Sequence, residues 1–217
     1  TLAKENPEQT AMMALRAEEA EASGKKLRFR QRWVRLGRIA PAAVNAVLVS
    51  EDARFHQHDG GDWDELKTAV EKAWKRKEAP RGASTITQQL AKNLYYGSDR
   101  SFLRKGRELL VARRLESELD KKRILELYLN VAEWGDGVWG IDAAARAHFG
   151  VSAAGLSVAQ GAMLAAMLPA PRTWTPRKRP ALVKRRAARL VGRLERTGKI
   201  SAAQAAAARV ELGFGRK

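Results

Sequence analysis

The chain has 217 residues, 45% of them hydrophobic, which is enough to bury one sizeable core and suits a single domain. It contains no cysteine, which excludes disulfides and cysteine-ligated metals while leaving the redox compartment open. Lys and Arg number 41 against 24 Asp and Glu, and the formal charge of +17 favours an anionic partner: nucleic acid, an anionic membrane surface or a phosphorylated substrate.

Most of the chain reads as helix, beginning with a segment over 5–22. "LRFRQRWVRL" (27–36) is the exception: Leu27, Phe29, Gln31, Trp33 and Arg35 alternate with mostly basic residues, predicting a short edge strand or hairpin arm. A helix over 41–55 follows, with Val44, Leu48, Glu51 and Phe55 on one apolar stripe. Glu51 on that stripe would lose hydration, so its pKa should rise and the carboxylate could take a proton near neutral pH. A buried acid paired with an arginine explains the pattern equally well. Asp52 lies about 100° further round. His56, His58 and Asp59 have metal-ligand chemistry, but turn contacts at a helix end fit them better, and no metal site is expected.

"DWDELKTAVEKAWKRK" (62–77) predicts an amphipathic helix with Trp63, Leu66, Val70 and Trp74 along one face and Lys67, Lys75, Arg76 and Lys77 at its flank and end. It suits a membrane interface, with packing on the core as the alternative. The next helix, over 84–95, follows a hinge at Gly82 and carries two polar rows, Ser84–Gln88–Lys92 and Thr85–Gln89–Asn93, which suit a ligand-facing surface. Over 101–119, Arg100, Arg104 and Arg107 are expected to gather around Glu108, with Arg104 and Glu108 at i, i+4 spacing. A Glu beside several cations stays ionised, which suits an orienting role better than a general acid.

Residues 121–132 form a core-type helix through Ile124, Leu127 and Tyr128, and Gly135, Gly137 and Gly140 then permit a close backbone turn. Helices are predicted over 138–148, where His148 reads as structural, and over 157–167, 178–197 and 201–211. The tract over 178–197 is Arg-rich, and a solvated face and a binding patch are equally compatible with it. No apolar run reaches the roughly 18 residues of a membrane span; "GAMLAAMLPAP" is stopped by Pro169. The start at Thr1 leads us to expect that an upstream segment, such as a signal anchor, was removed.

Five ordered stretches over 49–171 carry a resemblance: "EDARFHQHDGGDW", "RGASTITQQLAKNLY", "RKGRE", "KRILELYLNVAEWGDGVWG" and "AAARAHFGVSAAGLSVAQGAMLAAMLPAP". Together they resemble the motifs of the peptidoglycan glycosyltransferases, the lysozyme-like polymerases of bacterial cell-wall glycan. The "NVAEWGDG" segment and the short length resemble the monofunctional biosynthetic branch rather than the bifunctional penicillin-binding proteins. Gly61 departs from the pattern, standing where the family usually has a bulky apolar residue.

The resemblance implies a mainly α, lysozyme-like domain spanning 1–217, with the motif core at 49–171 and a basic helical periphery at 176–217. It implies that the 4-hydroxyl of lipid II attacks the anomeric carbon of a lipid-linked glycan, displacing an α-pyrophosphate and forming a β-1,4 bond with inversion. A sugar hydroxyl needs a positioned base, which Glu51 would supply, whereas pyrophosphate leaves well and needs cations more than a proton. By resemblance Lys92 and Arg100 stand at the donor pyrophosphate and Arg107 and Glu108 at the cleft, with Ser84, Thr85, Gln88, Gln89, Asn93 and Arg104 binding substrate. The resemblance fixes no definite cofactor and leaves the need for a divalent cation (Mg²⁺ or Mn²⁺) open, either ion being compatible with pyrophosphate departure. The expected partners are lipid II, the lipid-linked glycan, an anionic membrane surface and other cell-wall synthesis proteins, and not nucleic acid. The expected location is the outer, periplasmic face of a bacterial inner membrane. Two other readings stay open: a lysozyme or lytic transglycosylase that cleaves glycan, and a basic helical nucleic-acid-binding protein. The first leaves Lys92 and Arg100 without a pyrophosphate, and the second leaves Glu51 unexplained.

Overall fold

The computed structural model describes residues 1–26, 28–61, 84–97 and 102–215, apart from the side chains of 102–104. The helix expected over 62–77 therefore lies outside the described residues. The architecture is mainly helical, as the sequence implies, with one small three-stranded sheet. It divides into two compact units: Thr1–Lys25 with Arg54–Tyr128, and Lys26–Ala53 with Leu129–Lys217.

The first unit starts with α1 (Ala11–Ala22), six residues later than the sequence suggests. The cause is Thr10, whose hydroxyl accepts from the Met13 N–H at 3.2 Å and caps the helix there. The residues before it are held instead by Arg123, whose guanidinium donates to the carbonyls of Leu2 and Glu5 at 2.8 Å each. Next comes α3 (Ile86–Ala91), which runs into a π-helical turn at Lys92–Tyr96. Then follow α4 (Phe102–Glu118) and α5 (Lys121–Val131), the latter shared with the second unit. Ile124, Leu127 and Tyr128 are all buried, so the core reading of α5 holds.

In the second unit, α2 (Pro41–Glu51) starts with Pro41 in its first turn, where a missing N–H costs nothing. It stops at Glu51 because Asp52 is extended, at φ −162°. The stripe expected through Phe55 is thereby corrected: Phe55 is buried from a separate 3₁₀ turn, Phe55–Gln57, in the other unit. Ala43, Ala46 and Val47 form the truly buried face of α2, while Val44, Leu48 and Glu51 lie half-buried beside it. That face meets α7 (Val158–Met167), a helix opened by a Ser157–Gln160 capping box. A β-carbon on Gly161 would stand 2.7 Å from the Ala43 Cα, so glycine permits this approach.

The expected edge strand is β1 (Arg30–Gln31), which pairs in parallel with β3 (Val138–Trp139). The antiparallel partner of β3 is β2 (Glu133–Gly135), joined through Asp136–Gly137. The helix predicted from residue 138 thus begins only at Ile141, as α6 (Ile141–Phe149). Asp142 anchors α6. Burial would raise its pKa, but the Ala153 N–H, Arg146 and Arg32 outweigh that and hold it below the ordinary value. Amphipathic α8 (Pro180–Arg196) and α9 (Ala202–Glu211) complete the unit, with Val183, Ala187, Leu190, Val191 and Leu194 of α8 buried.

Candidate active site

In the first unit the polar residues of α3 are organised by its N-terminus. Thr85 is the N-cap, and its hydroxyl accepts from the Gln88 N–H at 3.2 Å while donating to the Gly60 carbonyl at 2.8 Å. The Gln88 amide donates to the same carbonyl at 3.2 Å. Gly60 has φ +85°, and a β-carbon there would press on the Ala112 backbone at 3.2 Å, so the loop can lie this close only as glycine. Gly61 beside it is half-buried. Gln89 turns inward, accepting from the Tyr128 hydroxyl at 2.9 Å.

Ser84 precedes α3 and so cannot join a helical row with Gln88 and Lys92. A cation outside the expected set brings Ser84 and Gln88 together. Lys105, from α4, places its Nζ 2.9 Å from Ser84 Oγ, 3.3 Å from Gln88 Oε1 and 3.3 Å from Glu108 Oε2. Glu108 is 2% exposed, so one ammonium ties a buried carboxylate to two neutral acceptors. Arg107, expected at Glu108, is instead exposed and makes no ion pair among the described residues. Arg100 and the side chain of Arg104 lie outside the described residues. Lys92 opens the π turn half-buried, and Asn93 is buried after it.

Three residues that the motifs do not single out, Thr87, Glu116 and Lys121, support this arrangement. The Thr87 hydroxyl and the Lys121 ammonium both donate to Glu116 Oε1, and Lys121 also donates to the His58 carbonyl. The 58–60 loop is therefore held at His58 by α5 and at Gly60 by α3. His58 packs edge-on against Phe55 with ring centres 6.4 Å apart, a turn contact of the kind expected. Among the described residues no three His, Asp or Glu side chains converge as a metal site would require.

In the second unit Glu51 is the last residue of α2, and Ser50 Oγ donates to its Oε1 at 3.0 Å, fixing the carboxylate. The fully buried member of the acid pair is Asp52, 2% exposed, not Glu51. Ser50 also borders a hollow of about 220 Å³ lined by Ala166, Arg186, Arg189, Leu190 and Arg193. The Arg186 guanidinium stacks 4.5 Å from the Trp174 ring, and its buried Nε has no hydrogen-bond partner among the described residues. Helical spacing in the basic tract could have shown this group, because Arg186, Arg189 and Arg193 recur at i, i+3 and i+7. His148 lies against the Trp134 carbonyl at 2.9 Å; burial and, less strongly, Arg177 lower its pKa despite that bond. Its position is structural.

A family model described as Transglycosylase matches residues 19–195. The chain belongs to this transglycosylase family. Among curated relatives, a biosynthetic peptidoglycan transglycosylase from Janthinobacterium sp. (strain Marseille) is 44% identical over 181 residues, covering 83% of this chain and 78% of the relative. One from Rhodospirillum centenum (strain ATCC 51521 / SW) is 50% identical over 167 residues, 76% of this chain and 71% of its own. One from Bordetella avium (strain 197N) is 42% identical over 200 residues, 88% and 82% respectively. All five transglycosylase motifs, over 49–171, fall inside the matched span.

Proposed function

We propose that this transglycosylase polymerises lipid II into β-1,4 glycan strands with inversion and release of the lipid pyrophosphate. In that scheme Glu51 takes the proton of the acceptor 4-hydroxyl as its oxygen attacks the donor's anomeric carbon. The bond from that carbon to the pyrophosphate oxygen breaks, and the leaving group departs as an anion. Lys92 and Arg100 neutralise that developing charge, which is where fixed cations contribute most. Glu108, paired with Lys105, orients the neighbouring cations together with Arg104 and Arg107, and Ser84 and Asn93 offer hydrogen bonds to sugar and phosphate. Thr85, Gln88 and Gln89, whose side chains are engaged within the protein, act by holding α3 and the Gly60 loop in place. A divalent cation, Mg²⁺ or Mn²⁺, would serve as a counter-ion carried on the pyrophosphate oxygens.

The observation that carries this reading is the Ser84–Gln88–Glu108 cluster around Lys105. A buried carboxylate clamped to an ammonium suits holding that cation in place and not the protonation of a leaving alcohol that glycan cleavage requires. The relatives' names, biosynthetic peptidoglycan transglycosylases, support the same direction. Because the substrate is lipid-borne, the working place is the outer face of the bacterial inner membrane, among other cell-wall synthesis proteins. No helix among the described residues is long and apolar enough to cross a membrane. The test is Glu51→Gln, which keeps shape and removes basicity. Lipid II turnover should fall by roughly 10²–10⁴-fold with folding intact, and a near wild-type rate would reject the assignment.

A further inference from the structure

Between Arg172 and Lys199 the chain carries eleven Lys and Arg and a single Glu, so this short stretch holds more than half of the +17 net charge. That one acid, Glu195, is paired with Arg209. Helix α8 turns its apolar face inward, and Arg185, Arg189 and Arg196 fall at i, i+4 and i+11 on the opposite face, flanked by Lys184 and Arg193. All five cations are exposed, and none makes an ion pair among the described residues. Exposed Arg177, Lys178 and Arg179 extend the row ahead of the helix. At 1.5 Å per residue the cations from Arg185 to Arg196 span about 16 Å. Like charges one turn apart repel and destabilise a helix, so the pattern makes sense where an anionic surface meets it.

We infer that the outward face of α8 docks on anionic phospholipid headgroups, a deepening of the membrane reading above, on which it rests. The row is linear and lies on a convex helix, so it matches a plane of phosphates rather than one small anion. Arginine predominates, and its planar fork binds phosphate oxygens in pairs. None of the exposed large hydrophobic residues (Phe29, Tyr95, Leu110, Val210 and Phe214) lies on α8, so the contact stays at headgroup depth and is salt-sensitive. Helix α8 itself carries no aromatic residue between these cations, and the one ring in the stretch, Trp174, is taken up by Arg186, whereas stacking on single-stranded nucleic acid would require free rings along the row.

The test compares the full chain with a Lys184→Gln, Arg185→Gln, Arg196→Gln variant, none of these residues having a catalytic role here. Co-sedimentation uses phosphatidylcholine vesicles with and without phosphatidylglycerol, and circular dichroism checks that both proteins fold alike. Each basic residue near an anionic surface strengthens binding about fivefold, so the variant should bind phosphatidylglycerol vesicles about 100-fold more weakly. Wild-type binding should collapse in high salt. Equal binding of both proteins, equal wild-type binding to both vesicle types, or a preference for soluble polyphosphate or single-stranded DNA over vesicles would each overturn the inference. A parallel assay on detergent-solubilised lipid II separates the two claims: both proteins should polymerise it equally. If neither does, the functional reading fails; if both do and vesicle binding is unchanged, only the α8 docking fails.

Discussion

Removing the Lys105 ammonium tests the cluster around Glu108 most sharply, and Lys105→Met does so while keeping the aliphatic stem. At the observed 3.3 Å separation, two unit charges in an effective dielectric of about 20 attract by about 5 kcal/mol. The Lys105 side chain is 49% exposed, however, so water screens it and replaces much of that attraction. About 1–2 kcal/mol should remain for the pair after this discount, and the bonds to Ser84 and Gln88 add about 0.5 kcal/mol each under the same screening. The expected loss of about 2–3 kcal/mol corresponds to a fall of about 4–12 °C in melting temperature for a chain of this size. Turnover of lipid II should drop about 10–100-fold as Glu108, Ser84 and Gln88 lose their common anchor. Lys105→Arg, which keeps the charge but changes its geometry, should recover most of the stability and less of the turnover. Thermal melts followed by circular dichroism, with lipid II polymerisation on the same preparations, measure both. If Lys105→Met melts and polymerises like the wild type, the cluster neither stabilises the fold nor organises the site.

Lys92→Ala and Arg100→Ala should each raise the barrier by about 2–4 kcal/mol while leaving the melting temperature nearly unchanged; steady-state kinetics beside thermal melts would expose a purely structural role as the reverse pattern. His148 has a lowered folded pKa, so its contribution to stability is complete above the unfolded value of about 6.5 and is lost as pH falls through the folded one. Melting temperature should therefore decline on acidification below about pH 6.5, and His148→Gln should flatten that part of the profile. Gly161→Val should destabilise by more than about 3 kcal/mol, because the Ala43 backbone blocks even a β-carbon there, and urea unfolding would read it directly.

Much of the helical order was legible because apolar periodicity and capping residues act locally, as with Ser157–Gln160 before α7 and Ser201–Gln204 before α9. The errors fall where one residue overrode a longer pattern. Thr10 outbid the helix-forming residues before it, and the extended backbone at Asp52 ended α2 in the middle of an apolar stripe. Of the hairpin at 133–139 the glycines gave the turn, but its second strand lay under a helix expected from residue 138, although Asp136–Gly137 is the usual mark of a hairpin. At the candidate site the roles of Thr85 and Gln89 depended on the Gly60 carbonyl and the Tyr128 hydroxyl, distant in sequence and invisible to spacing. Lys105 stands three residues before Glu108, and i, i+3 spacing serves an ion pair as well as the i, i+4 spacing of Arg104 does.

The central claim, glycan synthesis from a lipid-linked donor, is tested most directly by incubating the purified chain with lipid II and resolving the products by size and linkage. A glycan synthase yields β-1,4 polymer together with released lipid pyrophosphate, and its Glu51→Gln variant yields roughly 10²–10⁴-fold less of both. No polymer from lipid II, combined with shortening of preformed glycan strands, would contradict it and make the chain a cleaving enzyme.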